Sequence, residues 1–347
     1  MKFKNLLLMV LTLMLTGLLV ACNNEDDVQS NTYPVNTEET SGDVELSGSL
    51  TVYLPAPTGL ADDLIAAFEA QTGISIAMFQ GTTGEILARL EAEAANPIAD
   101  VVILASWSDG LILREQGGLL EFRPEYAELL HDGFISDDNT LIGTSASAVG
   151  IAYNTLLIDE LSADWHELAN DSLNGQAVFP DPALSGSAND FLAGFMYHYG
   201  ESGWDVWDGL AVNNMVVLGA NAASLESVIT GERGVLVSGV DWNVFAAIER
   251  GEPLGFYYPT SGTVINPRPA MILESTQNLE NAQAFINFLL SDEAQQMVID
   301  AYLIPSRSDM RSDRRPNVDE INVLNTNWDW MMNNANEISN RFNELFQ

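Results

Sequence analysis

The sequence predicts an α/β fold in two lobes, and three observations predict it. From Ser49 onward a strand, a turn and a helix recur in that order. The run Asp100 to Ala105 is continuously apolar after its first residue, as a strand buried on both faces of a mainly parallel sheet must be. The body of the chain, about 300 residues, is long for a single core.

The elements follow in order. Leu50 to Leu54 is a short apolar strand closed by Pro55 and Pro57. A helix with Leu60, Leu64, Ala67 and Phe68 on one face then runs to Thr72-Gly73. Ile74 to Phe79 is a strand and Gly81-Thr82-Thr83-Gly84 a turn. The next helix carries Ile86, Leu87, Leu90 and Ala94 and stops at Asn96-Pro97. Thr144 to Asn154 alternates small and apolar residues, as a strand crossing between lobes would. A second α/β set follows: strand Gln176 to Pro180, helix Ser187 to Tyr199, strand Val216 to Leu218, helix Ala222 to Thr230, strand Val235 to Val240 and a helix near Asn243 to Arg250. After Gly255 to Pro259 the chain is expected back in the first lobe. There, helices at Leu279 to Leu290 and Asp292 to Tyr302 and an aromatic-rich helix from Trp328 to Phe346 complete it.

The N-terminus addresses compartment. Lys2 and Lys4 precede an apolar run, Leu6 to Ala21, that ends at Cys22, which is the layout of a signal peptide and is short for a membrane span. Leu19-Val20-Ala21-Cys22 resembles the lipobox of bacterial lipoproteins, which implies lipidation of Cys22 and an extracytoplasmic chain held to the membrane by that lipid. As the one cysteine, Cys22 has no intrachain disulfide partner. Residues 23–47 are polar, acidic and without period, as a disordered tether is. The expected plan is signal 1–22, tether 23–47, first lobe 48–145 with 260–347, and second lobe 146–259.

Acidic side chains outnumber Lys and Arg by 49 to 13, for a net charge of −36; Lys2 and Lys4 are the only lysines, so removing the signal leaves the rest more acidic still. A surface of this sign repels nucleic acid and anionic membrane faces, which excludes both as partners. It is not evidence for a cationic ligand, because a solvated acidic surface adapted to salty or acidic surroundings is the favoured reading of it.

The chain resembles the extracellular solute-binding proteins grouped with the ferric-iron-binding receptors of ABC importers. The resemblance spans roughly Leu50 to Met310. It rests on Phe68-Glu69-Ala70-Gln71-Thr72-Gly73-Ile74, on Gly84 to Leu90 with Asn96-Pro97 and Ala99 to Val102, and on Gly150 to Asn154. Asp181-Pro182-Ala183 with Ser185 to Ala188, Ala284 to Ser291 and Ile304 to Arg307 continue it. It implies a periplasmic-binding-protein type II fold with the ligand in a cleft between the lobes. The crossing segments lie near Thr144 to Ala152 and Phe256 to Val264, and the partners are a small solute and the permease and ATPase subunits of an importer. A monomer with no cofactor is expected.

Ligands of open α/β sheets lie beyond the carboxyl ends of the strands, so the strand-to-helix turns are the candidate site. Four carry small hydroxyl residues: Thr58, the pair Thr82 and Thr83, Ser106 beside Trp107, and Ser185 with Ser187. Helix N-termini offer free N–H groups and partial positive charge to an oxyanion; the alternative for each residue is a plain helix cap. Ser147, on the crossing strand, joins the candidates. Where the ferric relatives place an adjacent tyrosine pair, this chain reads Val240-Asp241-Trp242-Asn243, which puts iron binding in doubt. Asp241 and Trp242 instead offer a carboxylate and an aromatic face to an organic solute, with Trp107 as an opposing wall; the alternative is a capping Asp241 and a core Trp242. Tyr257-Tyr258 lies on the next strand, where alternation sends the two rings to opposite faces.

The favoured solute is a small phosphorylated or carboxylated organic molecule, the alternative Fe(III) with a bound anion, and a polyamine or thiamine-like cation ranks third. An extracytoplasmic hydrolase is the competing class. The sequence has no nucleophile elbow, phosphate loop or metal-spaced histidine pair, and His131, His166 and His198 fall in separate elements. A structural lipoprotein would leave the cleft without a purpose.

Overall fold

In the computed structural model, residues 47–346 are described, and they form one compact unit. The signal, nearly all of the tether and Cys22 lie outside the described residues.

Strands β1 (Ser49–Leu54), β2 (Ser75–Gln80) and β3 (Val101–Ile103) alternate with helices α1 (Thr58–Thr72), α2 (Thr83–Glu93) and α3 (Trp107–Gln116), and β4 (Leu119–Leu120) follows. Local chemistry sets the boundaries. Gly73 ends α1 at φ 73°, donating its N–H to Glu69 O. Thr82 and Glu85 form a capping box at the start of α2. The long strand β5 (Ile142–Asn154) leads to β6 (Ala177–Phe179), α4 (Gly186–Tyr199), α5 (Trp204–Val212), β7 (Val216–Val217), α6 (Asn221–Ile229), β8 (Val235–Val240), α7 (Asp241–Glu249) and β9 (Leu254–Tyr257). The chain then returns through β10 (Ile265–Leu273), α8 (Leu279–Leu289), α9 (Asp292–Asp300), β11 (Ile304–Pro305) and α10 (Trp328–Leu345).

The sheet runs β2-β1-β3-β10-β5-β8-β6-β7. Within each lobe the pairs β1–β2, β1–β3, β6–β8 and β6–β7 are parallel. Strand β5 joins the lobes by changing partners along its length. Ile142 to Ala148 pair antiparallel with β10, and Val149 to Asn154 pair antiparallel with β8 and β9. Its small residues suit a strand shared by two sheets, with Ala146 and Ala148 fully buried and Gly150 leaving no room for a Cβ against the Phe256 ring.

Two elements escape the periodicity. Pro267 and Pro269 disguise β10, since proline lacks the ladder donor; the register shifts between them, which accommodates the break. In α5 the buried Trp204, Trp207 and Leu210 fall at spacing three.

One core gathers Leu50, Val52, Phe68, Phe285 and Ile304, and a second gathers Phe179, Phe191, Trp207, Val235 and Phe342. The last helix departs from expectation. Residues 260–347 are expected in the first lobe, yet α10 seats Met331, Ile338 and Phe342 in the second core, with the Phe342 ring 5.2 Å from those of Phe179 and Trp207. Its first turn leans the other way, with Trp328 and Met332 against the Tyr53, Leu104 and Trp107 cluster of the first lobe. An apolar stripe shows that a helix is covered; it does not say by which lobe.

Candidate functional site

The carboxyl ends of β1, β2 and β3 face those of β6, β7 and β8 across a cleft of about 460 Å³. Its first-lobe wall is the Pro55-Ala56-Pro57 loop, Gln80 to Thr83 and Ala105. The second-lobe wall comes from the starts of α4, α6 and α7, and Arg268 of β10 reaches in from the floor.

The sequence candidates divide. Thr82, Thr83, Ser185, Ser187 and Trp242 line the cleft together. The helix caps, however, are Thr82, Ser106 and Ser185, while Thr83 and Ser187 lie just inside their helices. Thr83 Oγ1 accepts the Ala105 N–H at 3.1 Å and ties two of the turns together. Thr58 is the first residue of α1; its side chain lies outside what the structure describes.

Four candidates sit elsewhere. Ser106 is fully buried, accepts the Asp109 N–H at 3.0 Å and gives its own proton to Asp190, and it is not among the residues that line the cleft. Trp107 is 3 % exposed within the first-lobe core and forms no wall of the cleft. Ser147 is sealed inside the sheet opposite Asn266. Asp241 is buried too: its Oδ2 accepts the Ala148 N–H at 2.8 Å, the Tyr258 hydroxyl at 3.0 Å and an Arg315 Nη2 proton, and its Oδ1 accepts Trp242 N–H at 2.7 Å. Its acceptor capacity is spent within the protein. In each case the residue type suited a ligand, but strand alternation or a buried partner turned the side chain inward.

Sequence reading missed Arg268 and Asn221. Arg268 is 4 % exposed, and its Nη2 donates to Pro55 O at 2.5 Å. No carboxylate among the described residues forms an ion pair with it. Burial lowers its pKa to about 10, and the field of Asp241, whose own partner is Arg315, pulls the other way. A buried cation held without a counter-ion beside a cleft is an anion site in electrostatic terms. The signal was present: a lone arginine between two prolines in the apolar run Val264 to Leu273. Asn221, the first residue of α6, accepts from Ser185 Oγ at 2.9 Å and donates to Ser187 Oγ at 3.1 Å, fixing both hydroxyls at the second-lobe wall. Trp242 lies half-buried between both cores, and its Nε1 has no hydrogen-bond partner among the described residues. Glu85, the acidic member of the lining, accepts Thr82 N–H at 2.7 Å as part of the capping box.

The two tyrosines of β9 and its exit turn away from the cleft and from each other. Tyr257 donates to Ala163 O at 2.8 Å, and Tyr258 faces Asp241 and Arg315. Burial pushes both phenols above their ordinary range, with the Tyr153 phenol and Asp164 adding for Tyr257 and Asp241 for Tyr258.

Two α/β lobes with a cleft at facing strand ends define the class of two-lobed binding proteins of type II fold. The model of the bacterial extracellular solute-binding protein family matches residues 96–334, and this chain belongs to that family. It is a substrate-binding protein of the kind that serves ABC importers. Over 261 residues it is 27 % identical to the iron uptake protein A1 of Synechocystis, covering 67 % of this chain and 69 % of that one. Over 252 residues it is 24 % identical to a putative 2-aminoethylphosphonate-binding periplasmic protein of Salmonella typhimurium, covering 70 % and 73 %. Among solved structures it is similar to the fructose-6-phosphate-bound periplasmic protein AfuA of Actinobacillus pleuropneumoniae, with a TM-score of 0.78 at 21 % identity over 86 % of this chain and 98 % of that one.

Proposed function

We propose that this protein captures a small phosphorylated organic solute outside the cytoplasm and delivers it to the permease of an ABC importer. The observation that carries the reading is Arg268, a buried guanidinium without a carboxylate partner on the floor of the cleft. Around it, the starts of α2, α4, α6 and α7 direct N–H groups and hydroxyls inward, a donor-rich surround that suits an oxyanion with several acceptor oxygens. Thr82, Thr83, Ser187 and the Asn221 amide supply those donors, Ser185 holds the Asn221 amide in place, and Trp242 supplies a face for the organic part. Relatives named for a phosphonate and a sugar phosphate support the same chemistry. One relative is named for iron uptake, but the tyrosines of this chain that neighbour the cleft point away from it.

The finer reading is a monomer anchored to the cell membrane through lipid on Cys22, with residues 23–47 as its tether. Its support is the charge and apolar layout of residues 1–22.

Calorimetry with a sugar phosphate, an alkylphosphonate, citrate and ferric citrate tests the ligand class. An organophosphate is expected to bind without turnover, and Arg268→Gln is expected to weaken it by about 2 kcal/mol or more, the scale of a lost charge-assisted hydrogen bond. Stoichiometric iron in the purified protein, or undiminished organophosphate binding by Arg268→Gln, refutes the proposal.

A further inference from the structure

A carboxylate of the second lobe is bound by the first. Asp190, on α4, is fully buried. Its Oδ2 accepts the Trp107 N–H at 2.8 Å, and its Oδ1 accepts the Ser106 hydroxyl at 2.9 Å and that of Ser108. All three donors belong to the first turn of α3, where free N–H groups and the helix dipole favour an anion. Ser106 serves both sides, since its oxygen accepts the Asp109 N–H while its proton goes to Asp190.

The backbone beside this contact is built for close approach. A Cβ at Gly186 would stand 2.7 Å from Ser106 Cβ and 2.8 Å from Thr83 Oγ1, and one at Gly84 would stand 2.4 Å from Ala183 O. Residues on both sides of the seam, Thr83 and Gly186, also line the cleft. The seam therefore sets the spacing between the donor-bearing turns of α2 and α4.

We propose that Asp190 is a positioning residue and a latch across the cleft, holding α4 against the start of α3 when the cleft is shut and letting go when it opens. This rests on the reading of the cleft as a solute site.

The latch is proton-dependent. Burial raises the Asp190 carboxyl to about 7; the carboxylate of Asp109 pushes the same way, and the Ser108, Ser106 and Trp107 donors oppose. Asp109, half-buried on α3, is itself raised to about 6 by burial, against the Ser106 hydrogen bond. Among the described residues, Asp109 is the charge that acts on Asp190. From α10, Met331, Ile338 and Phe342 pack on the second lobe, and from the first lobe Thr83 and Ser106 meet Gly186. In an opened cleft Asp190 meets water and titrates in the ordinary carboxylate range, about 4. Closing thus takes up a proton between that range and neutrality. Falling pH favours the shut form, and rising pH through about 7 favours the open one.

Small-angle scattering of the solute-free protein from about pH 5 to about pH 8.5 tests this, with the closed-to-open ratio expected to change by up to about tenfold per pH unit. The parent should expand as pH rises, Asp190→Asn should flatten that dependence to the part Asp109 contributes, and Asp109→Asn should move the transition to lower pH. A parent whose size ignores pH, or an Asp190→Asn profile that matches the parent's, overturns the latch. Should Asp190→Asn fail to fold, an unshifted transition in Asp109→Asn overturns it equally. Calorimetry with inorganic phosphate in two buffers of different ionisation heat should show proton uptake in the parent that Asp190→Asn lacks; equal uptake in both counts against the latch. Absence of phosphate binding counts against the ligand class alone, and the scattering comparison still decides the latch.

Discussion

Arg315 and Asp241 form an ion pair at 2.5 Å with side chains 1 % and 0 % exposed, joining the segment after β11 to the start of α7. Asp241 also holds the backbone of β5 at Ala148, next to the point where that strand changes partners. The pair pins both lobes to the strand they share. Arg315 further donates to Tyr302 O at 2.7 Å and Tyr258 Oη at 3.0 Å, so no polar group of the cluster is wasted.

Removing one member strands a buried charge. Arg315→Met and Asp241→Ala are each expected to lower stability by about 3 to 5 kcal/mol. Urea denaturation measures it. The double variant should recover part of that loss, because it buries no uncompensated charge; a double variant that loses the full sum of the singles would show that the charges are not coupled.

Trp242 and Tyr258 should separate by function. Trp242→Ala is expected to weaken organophosphate binding by about 2 kcal/mol or more, as loss of an aromatic anchor does. Tyr258→Phe should leave binding intact and reduce stability by about 1 kcal/mol, for it removes a hydroxyl that serves Asp241 and Arg315. Calorimetry and thermal unfolding on both variants distinguish them, and a Tyr258→Phe protein that binds no solute would place that phenol in the site.

Gly84→Ala tests the seam by sterics alone. With a methyl group 2.4 Å from Ala183 O something must shift, so the variant should hold the lobes apart, raising its radius of gyration and weakening solute binding at little cost to either core. A parent-like affinity would mean that the contact is not needed for binding.

Cys22→Ala should leave the fold unchanged and move the protein from the membrane fraction to the soluble one. Acyl chains contribute about 0.8 kcal/mol per buried CH₂, enough for stable attachment when more than one is present. Equal retention of parent and variant would refute anchoring at Cys22.

What the sequence by itself determined is local. The periods of two and 3.6, the hydroxyl caps and the glycine stop after α1 place most strands and helices within a few residues, because each depends on neighbours in the chain. The hydroxyl turns at Thr82, Thr83, Ser185 and Ser187 were legible for the same reason. The tertiary structure decided what depends on distant partners. It sent Asp241 to Arg315, 74 positions away, and Ser106 to Asp190, 84 positions away, withdrawing both from the cleft. It left Arg268 without a carboxylate partner among the described residues and assigned α10 chiefly to the second lobe. A side chain's type states which partners it can take, but the free energy of burying a charge depends on which groups the fold brings within a few ångströms of it.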